Sequence, residues 1–210
     1  MNTPERILIH TQELFYRYGT RSVTMDDIAK NIGISKKTIY QFFDDKESIV
    51  MAMMKTKIKE IETETGRIAI ESKDAVQEIL NTMVFINQVF SNLNPGLFYD
   101  LQKFHPKAWK LFVNHRNTYM KNCITNNLIR GIKEELYRDD LDIELTAKLR
   151  LCQIDNTVDP ELFPGRQFDL KEVNLCSLDL YLHSIVNTKG HRTLDKYTKQ
   201  ISTTKKKLTA

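Results

Sequence analysis

Little in this chain bends, crosslinks or crosses a membrane. Glycine and proline number only 7 and 5 among 210 residues, too few for a protein built from short strands and tight hairpins. No apolar/polar alternation bounded by turn residues occurs, whereas Leu, Ile, Lys, Glu and Met recur at helical spacing, so the expected fold class is all-α. The three cysteines, Cys123, Cys152 and Cys176, lie far apart. An odd count with no signal-peptide pattern fits buried thiols in a reducing cytoplasm, with neither a disulfide nor a zinc site expected. No apolar stretch approaches the roughly 18 residues a membrane-spanning helix requires. Catalytic signatures are missing too: no Gly-x-Gly or phosphate loop, no nucleophile motif, and five histidines (10, 105, 115, 183, 191) without metal-ligand spacing. The reading is therefore of a protein that is not an enzyme and needs no cofactor or metal.

A one-sided charge is also absent where it would be most informative. The net charge is +4, but residues 1–50 hold seven Lys/Arg and seven Asp/Glu, while residues 189–210 hold seven basic residues against Asp195 alone. Any nucleic-acid contact near the amino terminus must rest on placement, not on net charge. The basic end reads as a solvated terminus.

What is present begins at Thr24. Thr24 with Asp27 has capping-box spacing, Met25, Ile28, Ala29 and Ile32 make an apolar face, Gly33 permits a tight turn, and Ser35 can cap a second helix over Lys36–Phe43. Ile39 and Phe43 share the inner face of that second helix by i,i+4 spacing. Lys36, Lys37, Thr38 and Gln41 are left outside, where cationic and amide donors suit phosphates and base edges. Ahead of this pair, Thr3-Pro4-Glu5 starts a helix whose stripe is Ile7, Thr11, Leu14, Phe15 and Tyr18, ended by Gly19. The three helices make a very small unit that needs support from the rest of the chain.

Asp44 or Asp45 can cap a long fourth helix that fades near Gly66. Periodicity resumes at Asp74 and stops at Asn94-Pro95-Gly96; a short segment Leu97–Phe104 follows, then one long amphipathic helix from Pro106 to Ile132. The stretches Ile143–Val158 and Leu170–Val186 carry apolar residues around more than one face. That breadth fits either a homodimer interface or a doubly buried core pair. A last helix is expected after Gly190.

The aromatic-Gly pair Tyr18-Gly19, Val23-Thr24-Met25-Asp26-Asp27-Ile28-Ala29, Gly33-Ile34-Ser35, Thr38-Ile39-Tyr40, Phe43 and Lys46-Glu47 fall in one order and spacing. In this the chain resembles the TetR family of bacterial transcriptional regulators. The resemblance implies a three-helix, helix-turn-helix DNA-binding head (1–46) and a larger helical body (47–210) for ligand binding and dimerisation. It implies a DNA-binding transcriptional regulator in the cytoplasm, a ligand-responsive repressor that binds a palindromic double-stranded operator as a homodimer, with no membrane partner. The competing reading is a DNA-binding interaction module controlled by a protein partner.

Residue by residue, the resemblance places Thr24 and Ser35 at phosphates, Lys36, Lys37, Thr38 and Gln41 in or beside the major groove, and Tyr40 and Lys46 on phosphates. Phe42 stands where many relatives carry a histidine or another polar residue, and either touches a thymine methyl or packs within the head. An effector pocket is expected among Met83, Ile86, Asn87, Phe90, Phe98, Phe104, Trp109, Phe112, His115 and Tyr119, an aromatic set that equally reads as core. The dimer candidates are Leu149, Cys152, Val173, Cys176, Leu180 and Tyr181.

Overall fold

The computed structural model describes residues 3–90 and 96–208, with the side chains of Phe90 and of residues 200–208 excepted. The expected pocket residue Phe90, the stop at Asn94-Pro95 and the terminal lysine run therefore lie outside the described side chains. Eleven α-helices follow one another among the described residues: α1 Thr3–Tyr18, α2 Met25–Ile32, α3 Lys36–Tyr40, α4 Lys46–Glu71, α5 Ala75–Phe90, α6 Leu97–Phe104, α7 Pro106–His115, α8 Lys121–Lys133, α9 Ile143–Thr157, α10 Leu170–Ile185 and α11 Thr188–Leu208. The only β pairing among them is an isolated bridge between Tyr137 and Val186. No described helix is long and apolar enough to cross a membrane.

Several boundaries differ from the sequence reading. The recognition segment α3 stops at Tyr40, because Phe42 N and Phe43 N turn back to Ile39 O and close the helix one turn early. The fourth helix does not fade at Gly66 but runs to Glu71, about 39 Å for its 26 residues. The helix expected from Pro106 to Ile132 is interrupted at Arg116–Met120 by a wider π turn. Gly190 lies inside α11 and not before it. A Cβ there would sit 2.0 Å from Leu136 O, so the glycine serves close approach of two backbones.

Two apolar cores organise the molecule. One joins Ile7, Phe15, Ile28, Ile32 and Ile39 from α1–α3 with Ile49 and Val50 of α4 and, from farther along, Leu97, Leu101 and Ala108 of α6 and α7. The small amino-terminal unit thus completes its core with helices from beyond residue 90. The other gathers Ala75, Val76, Leu128, Tyr137, Ala147, Leu178, Leu182, Ile185 and Leu194 at the distal end of the bundle. Between the cores run α4 and α7, packed along each other.

Candidate nucleic-acid interface

α2 and α3 are held by short-range chemistry. Thr24 is extended (φ −98°, ψ 167°); its Oγ1 accepts from Asp27 N at 3.2 Å, and Asp27 Oδ2 accepts from Thr24 N at 2.8 Å and from the Thr24 hydroxyl at 2.6 Å. These bonds hold the Asp27 carboxyl below the usual carboxylate range. Both donors of Thr24 are engaged inside the cap, and a phosphate oxygen can only accept. In this structure Thr24 is engaged as the cap of α2.

Gly33 takes the left-handed conformation (φ +74°) that the turn demands. Ser35 then caps α3: its Oγ accepts from Thr38 N at 3.1 Å and lies 2.9 Å from Thr38 Oγ1. Of the two hydroxyl protons one is shared between the pair, and the other remains for an outside acceptor.

The outer face of α3 is open. Ile39 is fully buried, while Lys36, Lys37, Tyr40, Gln41 and Phe42 are exposed and Thr38 is half-buried. Lys36 Nζ reaches back to Asp26 Oδ2 at 3.0 Å, a pairing that raises its pKa. Among the described residues no hydrogen bond or ion pair engages the Lys37 ammonium or the Gln41 amide. Phe42, 45 % exposed, projects from the turn after α3 and does not pack within the unit's core.

Lys46 makes contacts within the chain that the sequence reading did not include. Its ammonium donates to Thr20 O at 2.9 Å and Val23 O at 3.0 Å, pulling the α1–α2 connection onto the start of α4. Burial lowers its pKa, opposed by the nearby Asp100 carboxylate. Two of its three donors are thus occupied by carbonyls, and the residue positions the unit.

Asp100, which the sequence reading did not single out, completes this junction together with Gly19 and His105. Asp100 on α6 sends Oδ2 to the same connection, accepting from Arg21 N at 3.1 Å and Thr20 Oγ1 at 3.4 Å. Gly19 makes room for it, since a Cβ there would meet Asp100 Oδ2 at 2.8 Å. His105, buried at the break between α6 and α7, meets Glu47 Oε2 through Nδ1 at 2.5 Å, leaving His105 Nε2 and Glu47 Oε1 buried without a protein partner. Only the Tyr18-Gly19 pair and the His105-Pro106 break signalled any of this in the sequence.

The expected pocket residues are distributed over several surroundings. Trp109 packs against the amino-terminal core and Met83 against the distal one. Phe104 is exposed at the surface, with the Arg21 guanidinium over its ring at 5.3 Å. Phe112 is edge-on to Phe98 (5.7 Å) and beside Trp109 (5.1 Å). At the π turn, His115 stacks on Tyr119 and approaches Glu62 Oε1 through Nδ1 at 3.1 Å, and the Tyr119 hydroxyl donates to Glu62 O at 2.8 Å. Ile86 and Asn87 are half-buried on α5. A surface groove of about 630 Å³ lies elsewhere, lined by Thr56, Lys59, Glu60, Thr63 and Glu64 of α4 and by Phe85.

The dimer candidates divide more cleanly. α9 and α10 pack on each other, yet Leu149 (57 % exposed) and Leu180 (64 %) face outward together with Leu145 and Leu175, Val173 is half-buried, and Cys152 and Cys176, expected to be buried thiols, lie on this exposed face instead. Tyr181 is an exception: it is buried within the chain's own fold under the Arg150 guanidinium, 4.8 Å from its ring.

Comparison with known proteins fits this arrangement. Residues 7–53 match the family described as bacterial regulatory proteins, tetR family. The chain is similar to the uncharacterized HTH-type transcriptional regulator YvaF of Bacillus subtilis (strain 168), 27% identical over 184 residues that span 86% of this chain and 94% of the relative. Among solved structures, a transcriptional regulator from Saccharomonospora viridis in complex with choline shares the fold at a TM-score of 0.71 and 22% identity, covering 88% of this chain and 97% of that one. FadR from Bacillus subtilis in complex with stearoyl-CoA does so at 0.63 and 18%, covering 84% and 96%.

Proposed function

The chain belongs to the TetR family of bacterial regulatory proteins, and from that premise we propose that this transcriptional regulator is a cytoplasmic, ligand-responsive repressor that grips a palindromic operator as a homodimer. The observation that carries the reading is the outer face of α3. Its inner side is anchored by Ile39 in a core shared with α4, α6 and α7, while Lys37 and Gln41 have no hydrogen bond or ion pair among the described residues. In the proposed complex residues 1–46 are the reader: Lys36, Lys37, Tyr40 and the Ser35–Thr38 hydroxyl pair hold phosphates, Gln41 meets base edges, and Phe42 touches a thymine methyl. Two such faces must lie about 34–36 Å apart to enter successive major grooves.

A dimer supplies that spacing, and the open leucine face of α9 and α10 is the surface that supports it; an apolar patch of this kind on a lone chain marks an interaction site. The effector reading rests on the aromatic group Phe98, Trp109 and Phe112 next to the His115–Glu62 pair, which suits a mainly apolar molecule with one polar end. The relatives' ligands, choline in one and stearoyl-CoA in another, show no common chemistry, and the effector of this chain is proposed only to that class.

The test is a selection of bound fragments from a genomic DNA pool followed by anisotropy titration against salt. An inverted-repeat site, two chains per site and a salt-dependent affinity are expected. Leu149→Asp with Leu180→Asp should yield monomers that lose at least about tenfold in operator affinity. Binding as a monomer to a non-repeated site would overturn the reading.

A further inference from the structure

α10 and α11 are joined by only Val186 and Asn187, and the sharp reversal sets the last turn of one against the first turn of the other. His183 and His191 meet there. Their Nδ1 atoms are 3.3 Å apart, and their ring centroids 5.1 Å apart with the planes 29° from parallel. One turn before His183, Asp179 places Oδ1 3.5 Å from His183 Nε2, on the far side of the ring. A carboxylate at that edge favours the tautomer protonated on Nε2, which leaves the Nδ1 lone pair directed at His191.

The distances match a chelate. Two nitrogens each about 2.05 Å from a tetrahedral zinc ion lie about 3.3 Å apart, with the centres of their rings about 5.2 Å apart. A carboxylate holding the outer N–H of a ligating histidine is also the usual support of such a ligand. We propose that His183 and His191 bind a divalent transition metal of the zinc, nickel or cobalt type through both Nδ1 atoms, with Asp179 as the positioning residue for His183.

No group of three His, Cys, Asp or Glu side chains among the described residues converges to hold a metal. The remaining coordination positions therefore belong to water, and the ion exchanges with solvent. Imidazole donors select these ions over magnesium and calcium, which need oxygen ligands. The bound ion staples α10, which carries the open face with Leu180 and Cys176, to α11, which packs on α5. The site is independent of the DNA-binding reading, and its test is separate.

Untagged full-length protein is titrated with zinc chloride while thermal unfolding is recorded. At a hundredfold excess over Kd the midpoint should rise by about 5 °C, and magnesium chloride should leave it unchanged. His183→Gln and His191→Gln should each weaken zinc binding by about a hundredfold, because either change leaves a single imidazole. Asp179→Asn should weaken it by about tenfold. The double variant Cys152→Ser, Cys176→Ser should bind as the parent does. Histidine 15N spectra supply a reading independent of stability: both Nδ1 resonances should move with zinc, and His183 should carry its proton on Nε2. Zinc binding that survives both histidine variants, that disappears with the two thiols, or that moves the Nε2 resonances instead would overturn the proposal.

Discussion

Two polar knots sit in this bundle, and they are tied differently. In the distal body Arg130 of α8 donates to Ala69 O and Ser72 O at the end of α4 and to the carboxylates of Glu78 and Glu134, while Glu134 accepts from Ala75 N at the start of α5. One arginine and one glutamate thus cap two helix ends at once. Beside them Tyr137 donates to Asn127, which donates to Ala75 O. The knot at the junction with the amino-terminal unit is short of partners: Glu47 and His105 satisfy each other at one atom each and leave Oε1 and Nε2 without a protein partner. A saturated network resists rearrangement, whereas a pair with idle atoms has less to lose by exchanging contacts. From this difference we propose a rigid frame distally and an adjustable joint beneath α1–α3, where a ligand signal has to pass in the function proposed.

The largest effects should come from breaking the distal frame. Gly190→Ala drives a methyl group to within 2.0 Å of Leu136 O, a backbone atom that cannot swing aside. A loss of about 3 kcal/mol or more in urea unfolding is expected, without selective loss of DNA contacts. Arg130→Met comes next, at about 2–3 kcal/mol, since it strands two carbonyls and two carboxylates that are partly shielded from water. A variant as stable as the parent in either case would remove the distinction between frame and joint.

At the joint the expectation reverses. Replacing Glu47 and His105 together by Leu and Phe removes both idle atoms, and stability should change by less than about 1 kcal/mol in either direction. Asp100→Asn should likewise cost less than about 1 kcal/mol. It weakens the tie from α6 to Arg21 N and Thr20, so the proposed coupling of effector to operator should fall by about tenfold, read as the ratio of operator affinities with and without ligand. Lys46→Met, which frees Thr20 O and Val23 O, should lower stability by about 1–2 kcal/mol while leaving the salt slope of DNA binding nearly unchanged. Lys37→Ala should do the opposite, lowering the slope by about 0.9 for each lost phosphate contact.

What the sequence disclosed follows the range of the interactions. Thr24 with Asp27, Gly33 and Ser35 act on atoms within five residues of themselves, and their caps and turn were legible from spacing alone. Lys46 was not, because its carbonyl partners lie 26 and 23 residues earlier in loop backbone that carries no side-chain signal. Asp100 acts across 79 residues, and nothing in Leu97–Phe104 distinguishes it from a solvated acid. Gly190 looked like a helix boundary because the sequence does not show that the Leu136 backbone presses against it. His183 and His191, eight residues apart on two helices, follow no single-helix ligand spacing. The breadth of the apolar pattern in α9 and α10 left an interface and a core equally open, and the fold divided it: Tyr181 went inside, Leu149 and Leu180 outside.

The smallest effect tests whether saturation means absence of cost. Glu78 accepts from Arg130 at 2.9 Å, yet its carboxyl is held above the usual glutamate range, since burial outweighs the favourable bonds from Asn127 and Arg130 and the nearby Glu134 adds to the rise. A raised folded pKa means that the native state binds more protons than the unfolded chain over that window. The contribution of Glu78 to stability is therefore fully present below about 4.5 and is lost as pH rises through the folded value. Glu78→Gln has no such titration. Subtracting its unfolding free energy from that of the parent at a series of pH values should give a difference that moves against the parent as pH rises through the window, then levels. A difference that moves in the parent's favour over the same window would mean that the ion pair with Arg130 outweighs burial. The rigidity of the distal knot would then come from charge pairing and not, as the geometry indicates, from the many neutral and backbone bonds around it.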